Sequence, residues 1–161
     1  MIQQLSHLRN PLMEKAIDAA KKTRLTGDVP VGAVIVWNNE VIGIGWNKRE
    51  ALQQTFAHAE MLAIQEACNK LGTWKLNKCD MYVTLEPCTM CASAIIQSRM
   101  RSLYFGAWDK KAGAAGSVTH LFQEKWVNHK VDIYEGIMEN ECKELLNEFF
   151  KDLRLQNEGL C

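Results

Sequence analysis

Apolar side chains recur along this chain at two spacings, and each spacing predicts an element. Leu12, Ala16, Ala19 and Ala20 return at helical intervals behind Asn10-Pro11. A proline at the first helical position suits a helix start, because its missing N–H would have no intrahelical partner. This helix is expected to fade near Thr26-Gly27. Residues 29–37 form a β-rich apolar run, Asn38-Asn39 reads as a turn, and residues 41–46 follow as a second strand, which predicts a hairpin. Residues 59–71 have helical period and stop at Gly72. Short runs at residues 81–85, 103–105 and 131–134 read as strands, and residues 89–98 as a helix opened by Pro87. The last segment is the most strongly amphipathic: Cys142, Leu145, Leu146, Phe149, Phe150 and Leu153 share one helical face. A hairpin followed by alternating helices and strands predicts a layered α/β domain with a mixed sheet. Residues 109–117, DKKAGAAGS, read as a loop, either a connection or a binding element.

Composition narrows the class. A chain of 161 residues with 47% hydrophobic positions can bury a core of its own, so residues 1–161 are expected to form one domain. No apolar run approaches the ~18 residues that cross a membrane. The first ten residues lack the pattern of a signal or transit peptide, and the expected compartment is the cytoplasm. Formal charge is zero, with 19 basic and 19 acidic side chains, which neither supports nor excludes a nucleic-acid partner and leaves room for a local basic patch. Six cysteines in a chain of this size do not ask for disulfides. Only Cys88 and Cys91 stand close together, at the spacing of a metal or redox pair.

In Pro87-Cys88-Thr89-Met90-Cys91, the proline sets a helix start and the two thiols point to one side of its first turn. A helix N-terminus favours negative charge and so favours thiolates, which bind zinc. Two small buried residues, or a redox dithiol, would give the same spacing. His58-Ala59-Glu60 opens the preceding long helix. Alone, His58 reads as a structural residue and Glu60 as a helix-dipole partner. Together with the cysteines they change meaning: one imidazole and two thiolates supply three zinc ligands, and Glu60 supplies a base. Three protein ligands leave a position open for water, the mark of a catalytic zinc site. A structural zinc would want a fourth ligand, such as His120, His129 or Cys79. Hydrolytic deamination needs an activated water, a group that takes its proton and returns it to the substrate, and loss of ammonia. The order His-x-Glu followed by Pro-Cys-x-x-Cys is the signature of zinc deaminases.

The chain resembles the bacterial tRNA-specific adenosine deaminases, of the cytidine and deoxycytidylate deaminase superfamily, from about residue 12 to residue 154. The resemblance is carried by Asp28-Val29-Pro30-Val31-Gly32-Ala33-Val34, Gly45-Trp46-Asn47, Ala57-His58-Ala59-Glu60 and Tyr82-Val83-Thr84-Leu85-Glu86-Pro87-Cys88-Thr89-Met90-Cys91. Lys111-Ala112-Gly113-Ala114-Ala115-Gly116-Ser117 and Asn128-His129 add to it, and are more specific than the zinc signature, which guanine and cytosine deaminases also carry.

The resemblance implies a three-layer αβα cytidine-deaminase-like fold, with a mixed five-stranded sheet flanked by helices. It implies a homodimer with one zinc ion per subunit, held by His58, Cys88 and Cys91. The implied reaction is hydrolysis of a cyclic amidine, adenosine to inosine at the wobble position of a tRNA anticodon stem-loop, with Glu60 as proton shuttle. Asn47 would hydrogen-bond the flipped base and Val31 would pack on it. Asp109 would lie beside the bound nucleotides, and Asn128 and His129 near the substrate strand. Phe149, Phe150, Lys151 and Arg154 match aromatic and basic residues that touch the anticodon loop, and Lys110 and Lys111 could meet phosphates. Each has a plainer reading: a turn residue for Asn47, a loop acid for Asp109, a turn before a strand for Asn128-His129, core for the phenylalanines and solvated charge for the lysines. Thr55-Phe56 stands where the family usually has Pro-Thr, and Asp109-Lys110-Lys111 where it often has Asp-Pro-Lys. Phe56 and Trp108 are bulky near the expected pocket mouth. These departures bear on the substrate, and a free-base or nucleoside deaminase with the same zinc chemistry is the alternative.

Overall fold

The structure is a computed structural model that describes residues 9–159. Asn10 caps the first helix, α1 (Pro11–Lys21): its side-chain oxygen accepts from the N–H groups of Leu12 and Met13 at 3.0 and 3.1 Å. A 3₁₀ turn, Lys22–Leu25, carries the chain on to the first strand, β1 (Gly32–Trp37). The turn to β2 (Glu40–Trp46) is made by Asn38 and Asn39 at φ 49° and 61°, the left-handed values a tight hairpin needs and asparagine tolerates. A short helix follows, α2 (Arg49–Leu52), and then α3 (Ala59–Leu71), which ends on Gly72 at φ 66°. The remaining elements are β3 (Asp80–Leu85), α4 (Thr89–Gln97), β4 (Ser102–Ala107), β5 (Asp132–Tyr134) and α5 (Glu139–Glu158).

Helix α2 has no counterpart in the hydrophobic pattern. Four residues are too short to show a period, and its support comes from far along the chain. The buried Asp28 carboxylate accepts from the N–H groups of Glu50 at 2.6 Å and Ala51 at 3.2 Å, and from the Thr26 hydroxyl.

The five strands run in the order β2-β1-β3-β4-β5. β1 is antiparallel to both its neighbours, while β3, β4 and β5 are parallel, so the sheet is mixed. Side chains alternate between its faces. Ala33, Ile35, Met81 and Val83 pack with α3 and α4, whereas Val34, Val36 and Tyr82 pack with α1 and α5. The result is the expected three layers, helices on both faces of one sheet. Among the described residues no helix is long and apolar enough to cross a membrane.

Small residues set how closely the helices sit. Ala59, Ala63 and Ala67 of α3 face Gly43 and Gly45 of β2. A Cβ at Gly45 would strike the Ala59 carbonyl oxygen and lie 2.7 Å from the Ala63 nitrogen. Gly32 of β1 meets α1 in the same way, at the Ala16 carbonyl and the Ala20 nitrogen. The amphipathic stripe of α5 is only partly used: Cys142 and Leu145 are buried, Leu146 and Phe149 half-buried, and Phe150 and Leu153 are exposed.

Gly45→Ala should therefore push α3 off the sheet and move His58 and Glu60 with it. We expect a loss of about 1–3 kcal/mol in denaturant unfolding, as for other overpacked sites, with weaker zinc retention. Gly72→Ala, in open space and strained only by its left-handed φ, should cost about 1–2 kcal/mol and leave zinc content unchanged. Equal zinc content in the two variants would contradict the close-contact account.

Candidate metal centre and substrate pocket

Two helix N-termini meet at one end of the sheet. His58 is the N-cap residue of α3 and Cys88 that of α4; both are extended, and neither side chain caps its own helix. Cys91 lies one turn into α4 and is fully buried. The His58 Nδ1 lies 3.7 Å from the Cys88 Sγ and 3.6 Å from the Cys91 Sγ. All three ligand atoms fall within 4.8 Å of one another. A tetrahedral zinc ion with ordinary Zn–N and Zn–S bond lengths separates neighbouring nitrogen and sulfur ligands by about 3.6 Å. The residues present therefore fit zinc in donor type and in spacing. None of the candidate fourth ligands joins them. His129 reaches the Met100 carbonyl at 2.8 Å, Cys79 sits in the core beneath α3 and α4, and His120 packs near Gly116 in the loop after β4. Among the described residues the group that could hold a metal ion has three members, and three ligands would leave a position open, as in a catalytic site.

The electrostatics favour a cation here. A hydrogen bond from Cys91, opposed by burial and helped by His58, pushes the Cys88 thiol down to about 4. Cys91 is pushed up, by the same hydrogen bond and by burial. One negative charge therefore settles on Cys88, between two helix N-termini whose dipoles support it. The other buried thiols differ: burial pushes Cys79 up to about 11 and Cys142 up to about 12, which marks them as packing residues. Glu60, in the first turn of α3, is 4% exposed. Burial pushes its carboxyl up to about 7, and the charge on Cys88 pushes the same way. A carboxyl so placed has the near-neutral affinity that suits a proton carrier.

His58, Cys88 and Glu60 line a pocket of about 220 Å³. Val29, Val31, Asn47, Arg49, Leu85, Glu86, Asp109 and Ala112 line it with them. Asn47 donates from Nδ2 to the Val29 carbonyl at 3.1 Å and accepts at Oδ1 from the Arg49 N–H at 3.1 Å. Its turn role and its pocket position thus coexist. The Asp109 Oδ1 accepts from the N–H groups of Lys111 and Ala112, so this acid folds the start of its own loop while lining the pocket. A wider groove of about 1160 Å³ shares Val29, Arg49, Leu85 and Asp109 with the pocket and continues past Trp108, Lys110, Lys111, Lys143 and Phe150.

Other expected residues lie elsewhere. Asn128 accepts from Arg99 and lines a separate cavity of about 620 Å³ with Ile64, Trp74 and Trp126. Phe149 lines a cavity of about 500 Å³ between α5 and residues 21–30, and Arg154 is exposed on α5. Phe56 is 55% exposed and lines none of these cavities.

Sequence reasoning passed over Glu86. This residue is 2% exposed. Its Oε2 accepts from the Asp109 N–H at 2.9 Å and from the Ser117 hydroxyl, and its Oε1 from the N–H groups of Ala115 and Ser117, both at 3.0 Å. A glutamate between an apolar strand and Pro-Cys was the available signal: a carboxylate there is buried and must find donors.

Comparison with known proteins agrees with the site. A family model of MafB19-like deaminases matches residues 8–154. The tRNA-specific adenosine deaminase of Bacillus subtilis (strain 168) is 49% identical over 88% of this chain and 88% of its own length. That of Agrobacterium fabrum (strain C58) is 42% identical over 92% of this chain and 98% of its own. A solved structure from a study of A-to-I editing by tRNA:A34 deaminases superimposes with a TM-score of 0.83 at 43% identity, over 86% of this chain and 100% of that one. The guanine deaminase of Bacillus subtilis superimposes with a TM-score of 0.58 at 34% identity, over 62% of this chain and 66% of that one. The mixed five-stranded sheet between two helical layers is the cytidine-deaminase-like fold of the A34 deaminase structure. Both in sequence and in structure, the chain belongs to the tRNA-specific adenosine deaminase family.

Proposed function

We propose that this chain hydrolyses adenosine to inosine and ammonia at the wobble position of a tRNA anticodon, using one zinc ion held by His58, Cys88 and Cys91. The observation that carries this reading is the joining of two spaces. A pocket the size of one base is lined by His58, Cys88 and the buried Glu60 carboxyl, with the Cys91 sulfur next to the His58 ring behind it, and it opens into a groove long enough for a strand. The groove mixes aromatic faces, Trp108 and Phe150, with Arg49, Lys110, Lys111 and Lys143, which outnumber its two acids, Asp109 and Glu139. Stacking surfaces beside cations suit single-stranded nucleic acid, and an anticodon loop is single-stranded.

When bound, zinc supplies Lewis acidity and lowers the pKa of a water in its open position. Glu60 takes a proton and returns it to the ring nitrogen of the base, a task matched to a carboxyl of near-neutral affinity. Asn47 keeps one Nδ2 hydrogen and one Oδ1 lone pair beyond its two backbone bonds, enough to read a base edge. Val31 offers an apolar face to the ring, and Asp109 stands where the strand leaves the pocket. Phe149, Arg154, Asn128 and His129 are further contacts for the RNA in this reading. The reading carries a homodimer and a cytoplasmic setting with it. The half-exposed Trp74 and Trp126, beside the outer end of α4, are apolar surface that a second copy would cover.

Three experiments follow. Purified protein, offered an anticodon stem-loop with adenosine at the wobble position and, in parallel, free adenine, guanine, cytosine and adenosine, should yield inosine in the stem-loop alone. Ammonia from a free base would transfer the assignment to a free-base deaminase. Glu60→Gln should retain zinc by elemental analysis and lose about 10²–10⁴-fold in turnover, whereas Cys88→Ser should lose zinc and melt at lower temperature. An active Glu60→Gln enzyme would remove Glu60 from proton transfer. Glu86→Gln places an NH₂ against at least one backbone N–H in either amide orientation, so it should cost about 1–3 kcal/mol in unfolding free energy. It should also raise KM for the stem-loop while zinc content stays whole; unchanged stability would show that residues 109–117 hold their shape without it.

A further inference from the structure

Trp46 carries two lysines. The Lys22 ammonium lies 4.5 Å from the centroid of its indole, and the Lys48 ammonium 4.1 Å. Among the described residues, neither lysine makes a salt bridge. Lys22 is exposed; Lys48 and Trp46 are half-buried. Two like charges gathered on one ring, neither held in a salt bridge, are poised for an anion.

The backbone builds this arrangement from both sides. Trp46 stands directly opposite Gly32 in the β1–β2 register, so the two occupy the same face of the sheet. With no side chain at Gly32, α1 comes into backbone contact with the strand, and the 3₁₀ turn at its end delivers Lys22 over the indole. Lys48 arrives from the other direction, two residues after Trp46. Between them sits Asn47, which lines the pocket. The lysine pair is therefore one residue from the expected base contact. It lies on the β2 side of the pocket, while Lys110 and Lys111 stand on the β4 side.

We propose that Lys22 and Lys48, held in place by Trp46, are a two-point clamp for neighbouring phosphodiesters of the RNA strand that enters the pocket. The proposal rests on the RNA reading given above. The electron-rich face of the indole attracts both ammonium groups and restricts their swing. Each ammonium still has donors to offer, and a phosphate at each relieves their mutual repulsion. Lysine contacts of this kind set the position of a strand without reading its sequence. Trp46 is a positioning residue here, acting through the two cations.

The test is stem-loop binding by fluorescence anisotropy across a potassium chloride series. Each lost phosphate contact lowers the slope of log affinity against log salt by about 0.7–0.9, so Lys22→Gln/Lys48→Gln should flatten it by about 1.4–1.8 and bind several-fold more weakly at low salt. Trp46→Phe should keep the wild-type slope and Trp46→Leu should lose part of it, because only an aromatic face holds the cations. Lys78→Gln, just before β3 at the opposite end of that strand, should change nothing. Zinc content and melting temperature of the lysine variants should match wild type. Parallel slopes for wild type and the double variant, with the wild type deaminating the stem-loop, would overturn the clamp alone. A wild type that neither binds nor deaminates the stem-loop would overturn the RNA reading and the clamp together.

Discussion

The Glu86 carboxyl is the tie on which the pocket depends. A buried carboxylate is tolerable only if its lone pairs are met, and here every donor comes from residues 109–117. That loop is rich in glycine and alanine and has little side-chain surface of its own to bury. It is shaped instead by wrapping its N–H groups around one side chain. Gly113 shows how tightly: a Cβ there would run into the Glu86 carboxyl. The next residues in the chain are Pro87 and Cys88, so the group that shapes the substrate wall is covalently adjacent to the metal helix. Wall and metal site therefore share a foundation at the end of β3, and neither moves without the other.

The candidate metal ligands impose a different compromise. N-cap positions normally hold a side chain that satisfies the first free N–H groups of the helix, a contribution of about 0.5–2 kcal/mol. His58 and Cys88 occupy the N-cap positions of α3 and α4 and make no such bond. Both helices give up a cap so that their first side chains can face a common point. In exchange, the dipoles of two helices converge where thiolate charge must sit. The helices can be held there because their seating does not rely on caps. α3 is fixed by Ala59, Ala63 and Ala67 against Gly43 and Gly45, and α4 by Ile95 and Ile96 in the core beneath it. Packing positions these side chains, and an ion bound there would contribute stability the caps do not, coupling metal binding to folding.

What could be read from the sequence follows from how local each signal is. The hairpin was legible because Asn38-Asn39 and the flanking apolar runs are neighbours, and α1 and α3 because Asn10-Pro11 and Gly72 punctuate them. The metal set was legible because His58, Cys88 and Cys91 are chemically unusual together, though thirty residues separate the first two. Glu86 and α2 were not. Glu86 acts on partners 23 to 31 residues away, and α2 is supported by Asp28 from 22 residues upstream. A carboxylate that serves distant backbone donors leaves no periodic trace. The amphipathic stripe of α5 fails in the other direction. Its period continues unbroken to Leu153, but the sheet beneath it ends sooner, so a uniform pattern spans both a buried and an exposed half.

Zero net charge was a poor guide to the partner, because charge acts over a short range. At physiological ionic strength exposed charges are screened beyond about 8 Å, so the balance of the whole chain says little about any one rim. The structure distributes the two signs unevenly. Glu14, Asp18, Glu141, Glu144 and Glu148 outnumber Arg9, Lys21 and Arg24 in the cleft between α1 and α5, whereas Arg49, Lys110, Lys111 and Lys143 outnumber Asp109 and Glu139 in the groove that leaves the pocket. A neutral protein forgoes the long-range steering that a basic one exerts on nucleic acid. Its hold on a polyanion must then come from cations fixed in place at contact distance. That requirement gives a structural reason for a ring such as Trp46 to hold lysines that would otherwise swing freely in solvent.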